Sequence, residues 1–155
     1  MKKRKITQAE FESFPVINEK RQCPAYCDYS EIKTFGGGCS FGGGCSFDEG
    51  CSFGGGCSFG KYCFFGGGCS FGEGCFFGGK KCSIKNPILR INYIGSRNDG
   101  VTFYNTDDGI YVQCGCFFNT ILEFQGAVIR KHNNTIHEKT YMLAIEMAKL
   151  KFEIK

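Results

Sequence analysis

Residues 35–58 read FGGGCSFGGGCSFDEGCSFGGGCS, nearly the same six letters four times over. The period runs further than this stretch. Phe stands at Phe35, Phe41, Phe47, Phe53, Phe59, Phe65, Phe71 and Phe77, and Cys at Cys39, Cys45, Cys51, Cys57, Cys63, Cys69 and Cys75. After one inserted residue the pattern closes on Cys82 and Ile84, and upstream Tyr29 falls six before Phe35, with Lys33 in the Cys slot. Alternate side chains of an extended strand face opposite ways. Cys39 and Phe41 therefore point to one side and Ser40 to the other. The Gly run that follows permits a sharp corner at positive φ. Three such sides close a triangle. Stacked triangles put Phe35, Phe53 and Phe71 in one column, Phe41, Phe59 and Phe77 in a second, and Cys39, Cys57 and Cys75 in a third, at about 4.8 Å per turn. Phe and Cys fill the interior, where Cys acts as a small hydrophobe. The stacked thiols run parallel and are expected to stay free.

Such a stack has open ends that need covering. Thr7 and Glu10 form a capping-box pattern for a short helix over ITQAEFESF, and Pro15 stops it. The reading divides the chain into an N-terminal cap (1–34), a repeat solenoid (35–86) and an α+β module (87–155). In the module, ILRINYIGS alternates, with Leu89, Ile91 and Tyr93 on one face. VTFYN and GIYVQCGCFF read as two further strands joined by a hairpin loop over 105–109 with Gly109 at the bulge position. Thr120 and Glu123 open a helix that ends near Asn133 and Asn134. A last helix over TYMLAIEMAKLKF carries Met142, Leu143, Ile145, Met147 and Leu150 as one broad stripe, expected to pack. The fold class is thus a β-solenoid with a small module of three strands and two helices.

The units Phe35-Gly-Gly-Gly-Cys39-Ser and Phe71-Gly-Glu-Gly-Cys75-Phe resemble the hexapeptide repeat of left-handed β-helix proteins, with Phe in the aliphatic slot. The resemblance implies a left-handed coil and self-association, often trimeric. The pieces IGSRNDGVTFYNTDDGIYVQCGCFFNT and YMLAIEMAKLKF resemble a C-terminal module of uncharacterised bacterial and prophage proteins. That resemblance implies a phage or mobile-element origin and no particular chemistry.

Left-handed β-helices are best known from acyltransferases, whose general base is a His beside a coenzyme A cleft. Here the repeats hold no His, and His132 and His137 lie between the two C-terminal helices. A base must reach its substrate, so an acyltransferase-like enzyme using one of these His is the alternative reading. A zinc site needs four ligands with paired spacing. Cys23 and Cys27 (C-x3-C) with Cys114 and Cys116 (C-x-C) are the candidate set, set against packed thiols as the simpler account. A nucleophilic Cys needs a neighbouring His. Cys116 with His132 is the one pairing, and nothing in the sequence joins them. The GGG runs lack the strand, loop and Gly-Lys-Ser/Thr order of a phosphate loop. Outward Ser on only some faces does not make the flat Thr ladder of an ice-binding array.

The net charge is +4, spread evenly: 7 basic and 5 acidic residues over 1–34, 4 and 3 over 35–87, and 8 and 7 over 88–155. No segment carries the dense Lys/Arg stripe of a nucleic-acid footprint; the run Lys2 to Lys5 reads as a solvated tail. No apolar run is long enough to span a membrane. The basic start lacks an apolar core of the secretory kind, so a cytoplasmic chain with reduced thiols is expected. What remains is a non-enzymatic interaction protein with no cofactor. Arg97, Asn98 and Asp99, in a loop, are candidate contacts. The expected partner is a protein, probed first as a host bacterial macromolecular complex, with a homo-oligomer as a further form of association. The sharpest version is a phage-encoded inhibitor of bacterial defence, of the anti-CRISPR kind. A small-molecule sponge, with ligand held between subunits, is a third reading.

Overall fold

A computed structural model describes residues 2–95 and 99–153. The chain divides into two compact units, Met1–Pro87 and Ile88–Lys155.

The first unit is a β-solenoid of about three turns. Its elements are β1 (Arg4–Lys5), α1 (Gln8–Ser13), β2 (Val16–Ile17), β3 (Lys20–Cys23), β4 (Cys27–Asp28), β5 (Thr34–Phe35), β6 (Cys39–Phe41), β7 (Ser46–Phe47), β8 (Ser52–Phe53), β9 (Ser58–Phe59), β10 (Phe64–Phe65), β11 (Ser70–Phe71), β12 (Cys75–Phe77) and β13 (Lys80–Cys82). They form three sheets, in the orders β1-β4-β7-β10, β11-β8-β5 and β13-β12-β9-β6-β3-β2. Parallel register sets Phe35 opposite Phe53, Phe53 opposite Phe71, Phe41 opposite Phe59 and Phe59 opposite Phe77. One turn is therefore three six-residue sides, as the period requires.

The interior is an aromatic prism. Phe35, Phe41 and Phe47 meet edge to face at one level, with ring centroids 4.9–5.6 Å apart. Successive levels stack face to face at 4.8–5.4 Å with planes within 12°. The stacking distance is close to the strand spacing, so the backbone ladder delivers the ring offset. Tyr29 supplies a ring at the first level, stacked on Phe47, and its hydroxyl donates to Pro24 O at 2.9 Å. A buried phenol needs such a partner.

Cys holds its slot for a second reason besides size. The Cys45 thiol lies 3.2 Å from Gly42 O in its own corner, and the Cys63 thiol lies 3.5 Å from the same carbonyl one turn on. Cys69 and Cys75 repeat the arrangement. A weak S–H donor thus serves the corner carbonyls that the ladder leaves over. None of the twelve cysteines is in a disulfide. Cys69 is only half-buried, unlike the other repeat thiols.

Corner glycines differ in what they need. A Cβ on Gly54 would sit 2.5 Å from the backbone N of Gly37, one turn away, so close approach forbids a side chain there. Gly50 has open space but a φ of +73°, which only the backbone conformation penalises. The middle corner position has no positive φ and carries Glu49, Lys61 and Glu73, although at Gly37, Gly43 and Gly55 a Cβ would come within 2.7–2.9 Å of a carbonyl oxygen of the next turn.

Both ends are closed by two-residue hairpins. At one end β2 pairs antiparallel with β3 across Asn18 and Glu19, at φ 53° and 66°. At the other, β13 pairs antiparallel with β12 across Gly78 and Gly79, at φ 58° and 83°. Positive φ at both central residues fits the twist of the flanking strands. The residue that looks inserted before Cys82 is thus part of a chain reversal, and Cys82 faces Cys75 across the pair. The edge of β11 is closed by Asn86, which accepts from Phe71 N at 2.8 Å and donates its own N–H to Phe71 O at 3.0 Å. The cap helix α1 carries the expected capping box between Thr7 and Glu10. It sets Phe11 edge-on to Phe35 at 5.2 Å, and Arg21 clamps the carbonyls of Phe11, Glu12 and Phe14.

The second unit comprises β14 (Ile88–Ile94), β15 (Asp99–Thr106), β16 (Gly109–Cys114), β17 (Phe117–Thr120), α2 (Ile121–His132) and α3 (Ile136–Glu153). The sheet is antiparallel in chain order. It has four strands, where the sequence reading expects three. Gly115, at φ 59°, turns the chain after Cys114, so CFF belongs to a separate strand. A bulge at Tyr93 (φ 61°) breaks the alternation of β14. Tyr93 points outward, and Ile94 joins Leu89 and Ile91 against the core. That core holds Val101, Phe103, Val112, Phe124, Val128, Tyr141, Ile145 and Ala148. Thr120 caps α2 by accepting from Glu123 N at 3.2 Å, and Asn119 Oδ1 accepts from Thr120 N.

Candidate functional site

Five repeat thiols, Cys39, Cys51, Cys57, Cys63 and Cys75, are pushed up, while Cys45 and Cys69 are pushed down to about 7 by the hydrogen bonds they accept from Cys63 and Cys51. Hydrogen bonding to Cys39 and burial push the Cys57 thiol up to about 11, against an ordinary value of 9.0. In the Cys45–Cys63 and Cys51–Cys69 pairs one thiol donates to the next, which pushes Cys63 and Cys51 up, with burial adding to it. The raised thiols are poor nucleophiles and poor ligands.

Cys23 and Cys27 belong to the same pattern. Cys23 faces Phe41 and so fills a Phe slot, while Cys27 precedes the Asp28–Ser46 pair and so stands in the Cys45 column. Both are buried. Their C-x3-C spacing comes from the first turn of the solenoid. Among the described residues no group of three or more His, Cys, Asp or Glu is placed to hold a metal ion.

Cys114 and Cys116 are differently placed. A flat strand would point both to one face. The Gly115 turn instead leaves Cys114 half-buried and Cys116 exposed, the one thiol of the twelve that is. Cys114 Sγ lies 3.9 Å from the Tyr141 hydroxyl. Behind the turn, Phe117 and Phe124 tilt together at 5.5 Å, Phe124 meets Tyr141 edge-on at 5.6 Å, and His132 lies over Tyr141 at 5.7 Å. Gly95 leaves room for Tyr141, since any Cβ there would overlap the phenol. These groups, with Ala127, Val128 and Lys131, line a half-open cavity of about 210 Å³.

Cys116 and His132, which nothing in the sequence joins, therefore line one cavity. His137 stands beside His132, rings 5.6 Å apart. The His132 carbonyl is satisfied by Thr135, through both its backbone N–H and its hydroxyl, and Thr135 Oγ1 in turn accepts from Glu138 N. That cap at the start of α3 fixes the turn between the helices. The sequence reading missed Tyr141, Phe117, Phe124 and Lys131. The available signal was Gly115 inside an otherwise strand-like run.

The second feature is on the helices. The expected packing stripe of α3 divides. Ile145 is buried and Met142 partly so, but Leu143, Met147 and Leu150 are exposed, Leu143 to 70 %. The face that packs is Tyr141, Ala144, Ile145, Ala148 and Phe152. Ile136, Leu143, Met147 and Leu150 fall within about 60° of arc at 3.6 residues per turn, on the side away from the core. On α2, Leu122 and Ile129 make a matching exposed pair, Leu122 at 75 %.

Of the loop candidates, Arg97 and Asn98 lie outside the described residues. Asp99 opens β15, its backbone opposite Ile94, and so belongs to the sheet rather than a loop.

No described helix is long and apolar enough to cross a membrane. No protein family, no curated protein and no solved structure matches this chain.

Proposed function

We propose that this chain is a non-enzymatic protein-binding protein whose second unit docks a partner through the outer face of α3. One observation carries the reading: Ile136, Leu143, Met147 and Leu150 form an exposed apolar stripe along an 18-residue helix whose opposite side is already packed. Leaving four large apolar side chains in water forgoes about 1.5–3 kcal/mol for each that a partner would bury. Aligned apolar residues at helical spacing on an exposed face are what a helix-in-groove contact uses. The partner class is a protein offering an apolar groove or a second apolar helix.

The narrower reading, a phage-encoded inhibitor of bacterial defence, is supported by the sequence resemblance of the C-terminal module. It adds a host bacterial complex as the partner. The left-handed coil and side-by-side trimer implied by the repeat resemblance belong to the same proposal.

Native mass spectrometry of tagged protein from a bacterial lysate tests it, in parallel with L143E/M147E. The wild type carries a protein partner at fixed ratio, and the double variant loses it with its melting temperature unchanged. A wild type that runs alone and monomeric, or a variant that keeps the partner, overturns the reading.

A further inference from the structure

We propose that the cavity behind the Gly115 turn is a binding site for a single-ring aromatic carboxylate. Its walls set the class of ligand. Phe117, Phe124, Tyr141 and His132 present ring faces and edges on several sides. A planar ring placed among them gains both transfer energy and ring–ring contacts. The volume, about 210 Å³, exceeds the roughly 150 Å³ of a cavity that takes benzene. It leaves space for a single ring with one small substituent.

The substituent is selected by charge. Lys131, in the last turn of α2, is the one charged side chain on the lining, and no carboxylate stands there. A cationic amine at the rim of an apolar cavity favours an anionic group on the ligand and disfavours an amine. The main-chain carbonyl of His132, which would repel a carboxylate, is already occupied by Thr135. Cys116 stands exposed on the same lining, so an occupant covers its thiol. The site lies wholly within the second unit and is independent of the outer stripe of α3.

Benzoate and its neutral counterpart benzyl alcohol are the probes, followed by titration calorimetry and by the rate of Cys116 alkylation with iodoacetamide. Benzoate should bind one to one and slow alkylation in proportion to occupancy. For a ligand of about nine heavy atoms the expected dissociation constant is of order 1–10 mM. Benzyl alcohol should bind about tenfold more weakly, and K131Q should abolish that difference, since a charge-assisted contact is worth about that factor. A127L, which fills the cavity from a half-buried helical position, should remove both ligands and leave the far-UV dichroism and melting temperature in place. Absence of saturable benzoate binding up to about tenfold above that range overturns the proposal. So does binding that A127L leaves unchanged, or a stoichiometric metal in the purified protein that benzoate does not displace.

Discussion

The two units of this chain solve the burial problem in opposite ways. In the solenoid one short rule is repeated. Every sixth residue is a ring, the rings stack on their copies one turn away and meet others edge-on, and the first carbonyls of the corners have thiols nearby. In the α+β unit each contact is made once. Its core residues come from four strands and two helices at irregular spacing, and the helices keep a second apolar face outside. Repetition turns the periodic Phe and nearly all the periodic Cys inward, and the large apolar residues it leaves exposed, such as Tyr62 and Phe64, lie outside those two slots. The aperiodic unit has residues to spare, and both the cavity and the exposed stripe are found there.

The largest effect that bears on this contrast is a hole in the prism. Phe53 stacks on Phe35 and Phe71 and meets Phe41, Phe47, Phe59 and Phe65 edge-on. Phe53→Ala should cost about 3–5 kcal/mol in urea unfolding. L143E, an equally drastic change of residue type in the other unit, should stay within about 0.5 kcal/mol of wild type.

The corners come next. Gly54→Ala must push a Cβ against the backbone of the neighbouring turn and should cost about 1–3 kcal/mol. Gly50→Ala meets only the left-handed backbone penalty, about 1–2 kcal/mol, and no clash. If Gly50→Ala proves the worse of the two, close packing between turns does not govern the corners.

Alkaline pH separates the units further. A thiol whose pKa is raised on folding contributes stability fully below its unfolded value and loses it as pH rises toward its folded value. Cys45 and Cys69, lowered to about 7, add stability as pH rises from 7 to 9; Cys57, moved from 9.0 to about 11, then removes it between 9 and 11, so the urea midpoint of the solenoid should peak near pH 9. Cys39, raised to about 11 by its Cys23 hydrogen bond, adds to the same window. A midpoint unchanged across that window would mean the thiols are not proton-holding members of the ladder.

The smallest effect lies at a helix end. Thr120→Ala removes the α2 cap and should cost about 1 kcal/mol, seen as a modest fall in the melting temperature of the second unit.

The period made the solenoid legible before any coordinates. Its strand faces, its columns and the inward Cys and Phe all follow from alternation on short strands joined by corners. What lay outside the period was not legible. Asn18 and Glu19 take left-handed φ without being Gly, so the first hairpin gave no turn signal. Gly78 and Gly79 did signal a turn, but looked like a slipped repeat. Cys23 in a Phe slot masked the first turn as a metal pair. In the second unit, Gly115 between two Cys is one residue in an apolar run, and only strand pairing shows that it reverses the chain. The stripe of α3 looked single because both faces are apolar. Pattern alone does not tell which side meets the sheet. Tyr93 left the inner face through a bulge, which is set by the partner strand.

The central claim is that the six-residue unit, in register, is what folds the first half of the chain. Two deletions test it directly by circular dichroism and thermal unfolding. Removing residues 48–53 takes out one complete unit and rejoins Phe47 to Gly54, leaving the pattern unbroken. Removing only residues 48–50 takes out one corner and puts all later rings out of step with those before. The account predicts that the longer deletion keeps a cooperative transition and that the shorter one loses it. A shorter deletion as well tolerated as the longer would mean that composition, and not register, holds the solenoid together.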